Sequence, residues 1–168
     1  MKEKKGLILM FAVLLLALLG LVLAKPGYDL YRELEYRWGD PTEAQQRLHA
    51  YAEEMGISYG SYPKELIGLL ESNPETEAFV RNFPFREDVS RDISGVDRST
   101  VPLFLQWDPA WGYERYGSSY LAVTGCGPTC LAMAGFYLTG DSNMAPHRIA
   151  RFAEKNGYYE SGYGSSWT

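Results

Sequence analysis

Histidine and cysteine are scarce: the 168-residue chain holds two of each. Two cysteines cannot build the disulfide framework of a small secreted scaffold. Cys126 and Cys130 stand four residues apart on what reads as one helical face, where side chains run parallel and bridge poorly. Only His49 and His147 could add ligands, and neither lies at metal-ligand spacing from the cysteines, so neither a metal site nor a cofactor is expected. Basic charge is also short, with 16 Lys and Arg against 21 Asp and Glu, a net charge of -5. The first 24 residues carry three lysines and one glutamate, which leaves -7 on the rest. With that balance and no basic stripe, the chain is not expected to bind nucleic acid. Repeats and low-complexity blocks are absent, and 46% hydrophobic with 14% aromatic residues excludes a wholly disordered chain.

What is present begins with "GLILMFAVLLLALLGLVLA", Gly6 to Ala24, nineteen residues without a charge behind Lys2, Lys4 and Lys5. At about 1.5 Å per helical residue this run nearly crosses a ~30 Å hydrocarbon core, and the preceding lysines keep the N-terminus in the cytoplasm. Residues 1–24 therefore read as an uncleaved signal anchor, a single-pass transmembrane helix that places everything after Lys25 outside the cytoplasm. Val22 and Ala24 leave cleavage after Ala24, and secretion, as the alternative.

The exported part reads as a helical region over 25–85, a linker over 86–100, and a C-terminal region over 101–168. In "DPTEAQQRLHAYAEEMG", Asp40 is the expected N-cap, Pro41 the first helical residue and Glu43 the partner in a capping box, with Ala44, Leu48, Tyr51 and Met55 inward and Gly56 as the stop. His49 falls off that stripe and reads as a surface or boundary residue. "YPKELIGLLESNPETEAFVRNFP" gives two short helices opened by Pro63 and Pro74. "REDVSRDISGVDRST" is polar and without pattern, a linker or a wrapping loop. Beyond it, "VPLFLQWDPAWG" reads as a short apolar extended segment ending in a turn, and "YERYGSSYLAVTG" as an aromatic loop with a brief extended piece. A helix is expected over about Gly127 to Leu138, stopped by Gly140. A last one runs over about Ala145 to Lys155, with Ile149, Phe152 and Ala153 inward, His147 exposed on the opposite face, and Asn156-Gly157 as its stop.

The chemistry sits in "GCGPTC", Gly125 to Cys130. Free thiols titrate near ~8.5, and a helix N-terminus or a basic neighbour draws that value to about 3.5–7.5. Cys126 stands at such a start, where unpaired N–H groups and aligned peptide dipoles favour an anion. The flanking glycines allow close approach, and Pro128 suits a first turn because its missing N–H would have had no partner. Cys130, one turn further on, reads as a small core residue.

The run "VPLFLQWDPAWGYERYG" followed by "GCGPTCLAMA" resembles the opening of bacterial papain-like cysteine peptidases related to the double-glycine leader peptidases, family thirty-nine of the cysteine peptidases. The resemblance covers roughly Tyr62 to Thr168. It implies an α+β papain-like fold and an acyl-enzyme mechanism on a peptide or protein substrate. Cys126 would be the nucleophile and Gln106 the side-chain donor of the oxyanion hole, with Asp108 and Trp111 shaping the turn between the motifs. The family's general base, a histidine on a downstream strand followed by an aspartate or asparagine, has no counterpart, since His147 is only 21 residues past Cys126. From Val101 to Thr168 the chain is shorter than an ordinary domain of ~100–150 residues. It reads as the helical half of a peptidase with the sheet half largely missing, expected to leave Leu131, Phe136, Ile149 and Phe152 open to solvent and to hydrolyse peptides poorly. Two other functions remain open: a cell-wall peptidoglycan amidase on a related scaffold, and a catalytically inactive surface module whose tyrosine-rich loops hold a peptide or glycan.

Overall fold

The structure, a computed structural model, describes residues 27–162 and 164–166. Residues 1–24, read from the sequence as a signal anchor, lie outside the described residues, and among the described residues no helix is long and apolar enough to cross a membrane. The architecture is α+β, mostly helical with two small two-stranded antiparallel sheets. It divides into two compact units, Met1–Ser61 and Tyr62–Thr168.

In the first unit, helix α1 covers 27–38 and α2 covers Glu43–Glu54. The α2 N-cap is Thr42, two residues later than the sequence pattern suggests. Its hydroxyl accepts from the Gln45 N–H at 3.3 Å, and the Gln45 side chain accepts from the Thr42 N–H at 3.2 Å. Thr-x-x-Gln is itself a capping box, and Pro41 then stands before the helix rather than inside it. The inward face of α2 is Leu48, His49 and Ala52, with Met55 exposed. His49 is thus buried (9% exposed), not a surface residue. Its ring stacks on Tyr36 at 4.1 Å and its Nε2 lies 2.9 Å from a Glu33 carboxylate oxygen. Burial works to raise the Glu33 carboxyl, but hydrogen bonds from His49 and Arg37 outweigh it and hold the group below its ordinary value. The turn Tyr59–Ser61 closes against α1 at Gly60, where a Cβ would meet the Asp29 backbone at 2.4 Å.

The second unit begins with α3 (Lys64–Ser72), which follows Pro63 and buries Leu66, Ile67, Leu69 and Leu70. Pro74 opens a 3-10 turn that runs into α4 (Glu77–Asn82). These helices belong with the C-terminal region rather than with the N-terminal helices. Phe79 stacks on Tyr113 at 4.2 Å, and the Tyr113 hydroxyl donates to the Phe79 carbonyl at 2.7 Å. Of the two readings of the 86–100 stretch, its contacts agree with the wrapping loop. Ile93 is buried in the core of this unit, Arg91 pairs with Glu114, and Arg98 donates to the Tyr137 carbonyl at 3.1 Å.

Residues 101–105 form no strand, but Pro102 and Phe104 are buried while Leu103 and Leu105 are exposed, the alternation of an extended chain on a core. A hairpin follows: β1 (Arg115–Tyr116) pairs antiparallel with β2 (Ser119–Tyr120), Arg115 opposite Tyr120. Gly117 turns it at φ +61°, a left-handed conformation suited to glycine. Then come α5 (Leu121–Thr124), α6 (Cys126–Thr139), a 3-10 turn (Ser142–Met144) and α7 (Pro146–Lys155), and a second hairpin pairs β3 (Tyr159–Glu160) with β4 (Gly164–Ser165). Gly140, at φ +69°, ends α6 in the left-handed conformation.

The core gathers Phe104, Trp111, Tyr116, Leu121 and Phe136 with Ala132, Ala145, Ala150 and Ala153. The alanines allow α6 and α7 to approach closely. Phe136, only 1% exposed, is therefore buried rather than open. The inward residues of α7 are Pro146, His147, Ala150 and Ala153. Phe152, expected inward, is 59% exposed, and His147, expected outside, is 6% exposed. α6 is apolar on both sides, since Leu131, Tyr137 and Leu138 face out opposite Ala132 and Phe136.

Candidate functional site

The entry to α6 is fixed by sterics. Gly125 links α5 to α6, its N–H donating to the Leu121 carbonyl at 2.8 Å. A Cβ on Gly125 would stand 2.4 Å from that carbonyl oxygen and 2.6 Å from the Leu121 Cγ, so only glycine fits. Gly127, Pro128 and Thr129 turn inward and Cys126, the first residue of the helix, turns outward, exposed and free. Cys130 is exposed and free as well, which corrects its reading as a core residue. One turn along the helix returns to the face that Cys126 occupies, and the inward face is already filled by Thr129, Ala132 and Phe136.

Gln106 reaches the helix just before the cysteine. Its Nε2 donates to the Ala122 carbonyl at 3.0 Å, and the Ala122 N–H donates to the Gly112 carbonyl at 3.1 Å. The turn between them is held from inside: the Asp108 carboxylate accepts from the Ala110 N–H at 2.8 Å, and the Trp111 indole N–H donates to the Leu105 carbonyl at 2.8 Å. Asp108 and Trp111 are accordingly turn-shaping residues, and the 106–112 loop is tied to α5 at two backbone atoms of one residue. An amide NH2 has two hydrogens, of which one is used on Ala122.

Two residues that the motifs did not single out belong to this neighbourhood. The Tyr116 hydroxyl and Ser165 Oγ are 2.7 Å apart. Burial pushes the Tyr116 phenol up against that hydrogen bond, and the fields of Glu154, Tyr159 and Cys126 add to the rise. The clustering of tyrosines before the cysteine and of glycine and serine near the C-terminus was the available signal. β4 passes close to the end of α5: a Cβ on Gly164 would meet the Thr124 carbonyl oxygen at 3.0 Å. Between this hairpin, α6 and α7 lies a groove of about 440 Å³, walled by Pro128, Leu131, Ile149, Phe152, Tyr158 and Ser165. Gly127, next to Cys126, is among its lining residues. The sequence reading of Leu131, Ile149 and Phe152 as an open apolar surface holds here in altered form, with Ile149 half-buried and the other two exposed.

Neither histidine presents itself as an exposed partner for the thiol. His49 is engaged with Glu33 in the first unit. His147 is buried, and its Nδ1 has no hydrogen-bond partner among the described residues. Burial lowers its imidazole below the ordinary value of 6.5, with Arg151 and Arg91 adding to the shift and Glu114 opposing it. Among the described residues no group of three or more His, Cys, Asp or Glu is arranged to hold a metal ion. No family model, no curated protein and no solved structure matches the chain.

Proposed function

We propose that the protein is a membrane-anchored, extracytoplasmic cysteine peptidase of papain-like type, acting on a peptide or protein substrate through Cys126. The observation that carries this reading is the exposed Cys126 at the first position of a 14-residue helix whose entry is fixed by Gly125 and by the Gln106-bound α5. In the reaction, Cys126 Sγ bonds to the substrate carbonyl carbon and the carbonyl electron pair moves onto oxygen. That oxyanion is held by the Cys126 N–H and by a Gln106 Nε2 hydrogen, donors of the kind that stabilise such charge at about 2.7–3.1 Å. The C–N bond then breaks, the amine leaves with the proton from the thiol, and water releases the acyl group from the thioester. The apolar groove beside Gly127 is suited to a hydrophobic side chain of the substrate. A buried His147 is a poor carrier for the proton, so the chain on its own is expected to acylate more readily than it turns over.

One observation favours a second reading. The groove is open and apolar while both histidines are engaged in packing, an arrangement equally suited to a surface module that binds a peptide without cutting it.

Site-resolved alkylation with iodoacetamide tests the first reading. Because both thiols are exposed, exposure alone gives similar rates. An activated nucleophile makes Cys126 react faster than Cys130 at mildly acidic pH, with Cys126→Ala abolishing the fast phase and Cys130→Ala preserving it. Equal rates at the two positions would remove the peptidase reading and leave the binding module.

A further inference from the structure

Helix α1 is amphipathic the wrong way round for a helix in water. The side it turns to the rest of its own unit is polar: Arg32 is 7% exposed, Glu33 binds His49, and Tyr36 stacks on the same ring. The side it turns outward carries Leu30, Leu34 and Trp38 at i, i+4 and i+8, flanked by Tyr28 and Tyr31, with Glu35 between those two tyrosines exposed at its edge and paired with Arg32. Leu34 is half-buried and the others are exposed, Trp38 by 81%. A surface helix ordinarily points its apolar stripe at the core.

We infer that this face of α1 rests on the outer surface of the lipid bilayer, with Trp38, Tyr31 and Tyr28 among the headgroups. The inference depends on the reading of Gly6–Ala24 as the membrane anchor. Three residues, Lys25, Pro26 and Gly27, separate Ala24 from Tyr28, so the two lie at most about 14 Å apart even in extended chain. The stripe therefore starts beside the membrane, and from Tyr28 to Trp38 it runs about 15 Å along the helix. Tyrosine and tryptophan suit that layer because each joins an apolar ring to a polar atom, and they concentrate there in membrane proteins. The charge balance decides which attraction operates. With -7 on the residues after Ala24, anionic headgroups repel the exported part, so contact is made through the rings and not through lysines and arginines.

Tryptophan quenching in the full-length chain tests this. The chain is reconstituted into phosphatidylcholine nanodiscs whose acyl chains are either plain or brominated close to the headgroup. The Trp38 signal is taken as the difference between wild type and Trp38→Phe, a substitution at an exposed ring that leaves the fold intact. The expected result is that bromination removes most of the Trp38 component and that high salt does not restore it. A Trp38 component equally bright in both discs, in a chain that stays disc-bound, overturns the inference and leaves the anchor standing. Trp38 insensitive to bromine yet shielded from aqueous iodide, with two chains per disc, overturns it in favour of a second copy covering the face. A chain that does not remain with the discs overturns the anchor reading and this inference together.

Discussion

The side chain of Gln106 donates to the backbone carbonyl of Ala122, four residues before Cys126, across a 3.0 Å hydrogen bond. A residue 16 positions upstream is thereby tied to the segment that delivers the cysteine, and its amide has one further hydrogen to offer. The same bond makes Gln106 both a fastening and a candidate donor, and the two roles separate by size. Replacing it with alanine is expected to cost about 1 kcal/mol of stability, the net worth of one such bond. Acyl transfer at Cys126 is expected to fall by roughly 10²-fold or more if the amide also holds the oxyanion. Urea unfolding and the rate of acyl-enzyme formation with an activated ester measure the two; comparable small losses in both would make Gln106 a fastening only.

Gly125→Ala places a methyl carbon against the Leu121 carbonyl, a backbone atom that cannot swing aside. The α5–α6 junction must open, at a cost of about 1–3 kcal/mol by analogy with overpacked cores. Differential alkylation of Cys126 and Cys130 should narrow at the same time, since only the first lies at the displaced junction. A melting temperature within error of wild type would show that the glycine is incidental.

His147 couples stability to pH. Its folded-state imidazole is lowered, first by burial and then by Arg151, Arg91 and Arg148, with Glu114 in opposition. In the unfolded chain it takes up a proton near the ordinary 6.5, whereas in the folded chain it does so only at lower pH. The unfolded state therefore binds more protons as the pH drops through that value. The contribution of neutral His147 is complete above it and is lost progressively below it, until the folded form also protonates. Unfolding free energies measured between about pH 5 and 8 should fall on acidification in wild type and flatten in His147→Gln. An unchanged slope in the variant would assign the effect to other groups.

The two faces of α6 should respond differently to truncation. Phe136→Ala empties a site that is 1% exposed and is expected to cost about 3–5 kcal/mol. Leu138→Ala, on the outward face, should stay within about 0.5 kcal/mol. Light scattering should show slower self-association of the Leu138 variant, because it removes apolar surface without opening a cavity.

Glycine and proline signals located most helix ends: Pro63, Pro74, Gly56, Gly140 and Gly157 stand where backbone rules put them. What the pattern could not supply was which polar residues find partners. His49 falls off the apolar stripe and so reads as surface or boundary, but it packs inside because Tyr36 and Glu33 of another helix complete its environment. His147 reads as exposed for a related reason. α7 packs through its small residues, Ala150 and Ala153, and close approach by alanine turns the bulky Phe152 outward. Cys130 reads as core because α6 is apolar all round, and a helix without a polar side gives no clue to which side is covered. The junction at Gly125 and the turn-shaping roles of Asp108 and Trp111 were legible because they depend on nearby backbone. The Tyr116–Ser165 contact, spanning 49 residues, was not.

Cys126 and Cys130 share the outward face of α6 with Leu131 and Leu138. Cys130 is thereby a gauge of occupancy, placed one turn from the site it reports on. Whatever comes to lie over that face, be it substrate, a partner or another part of the assembled protein, must shade this thiol as it settles. Its labelling rate, read against that of the free chain, reports how much of the time the cover is in place.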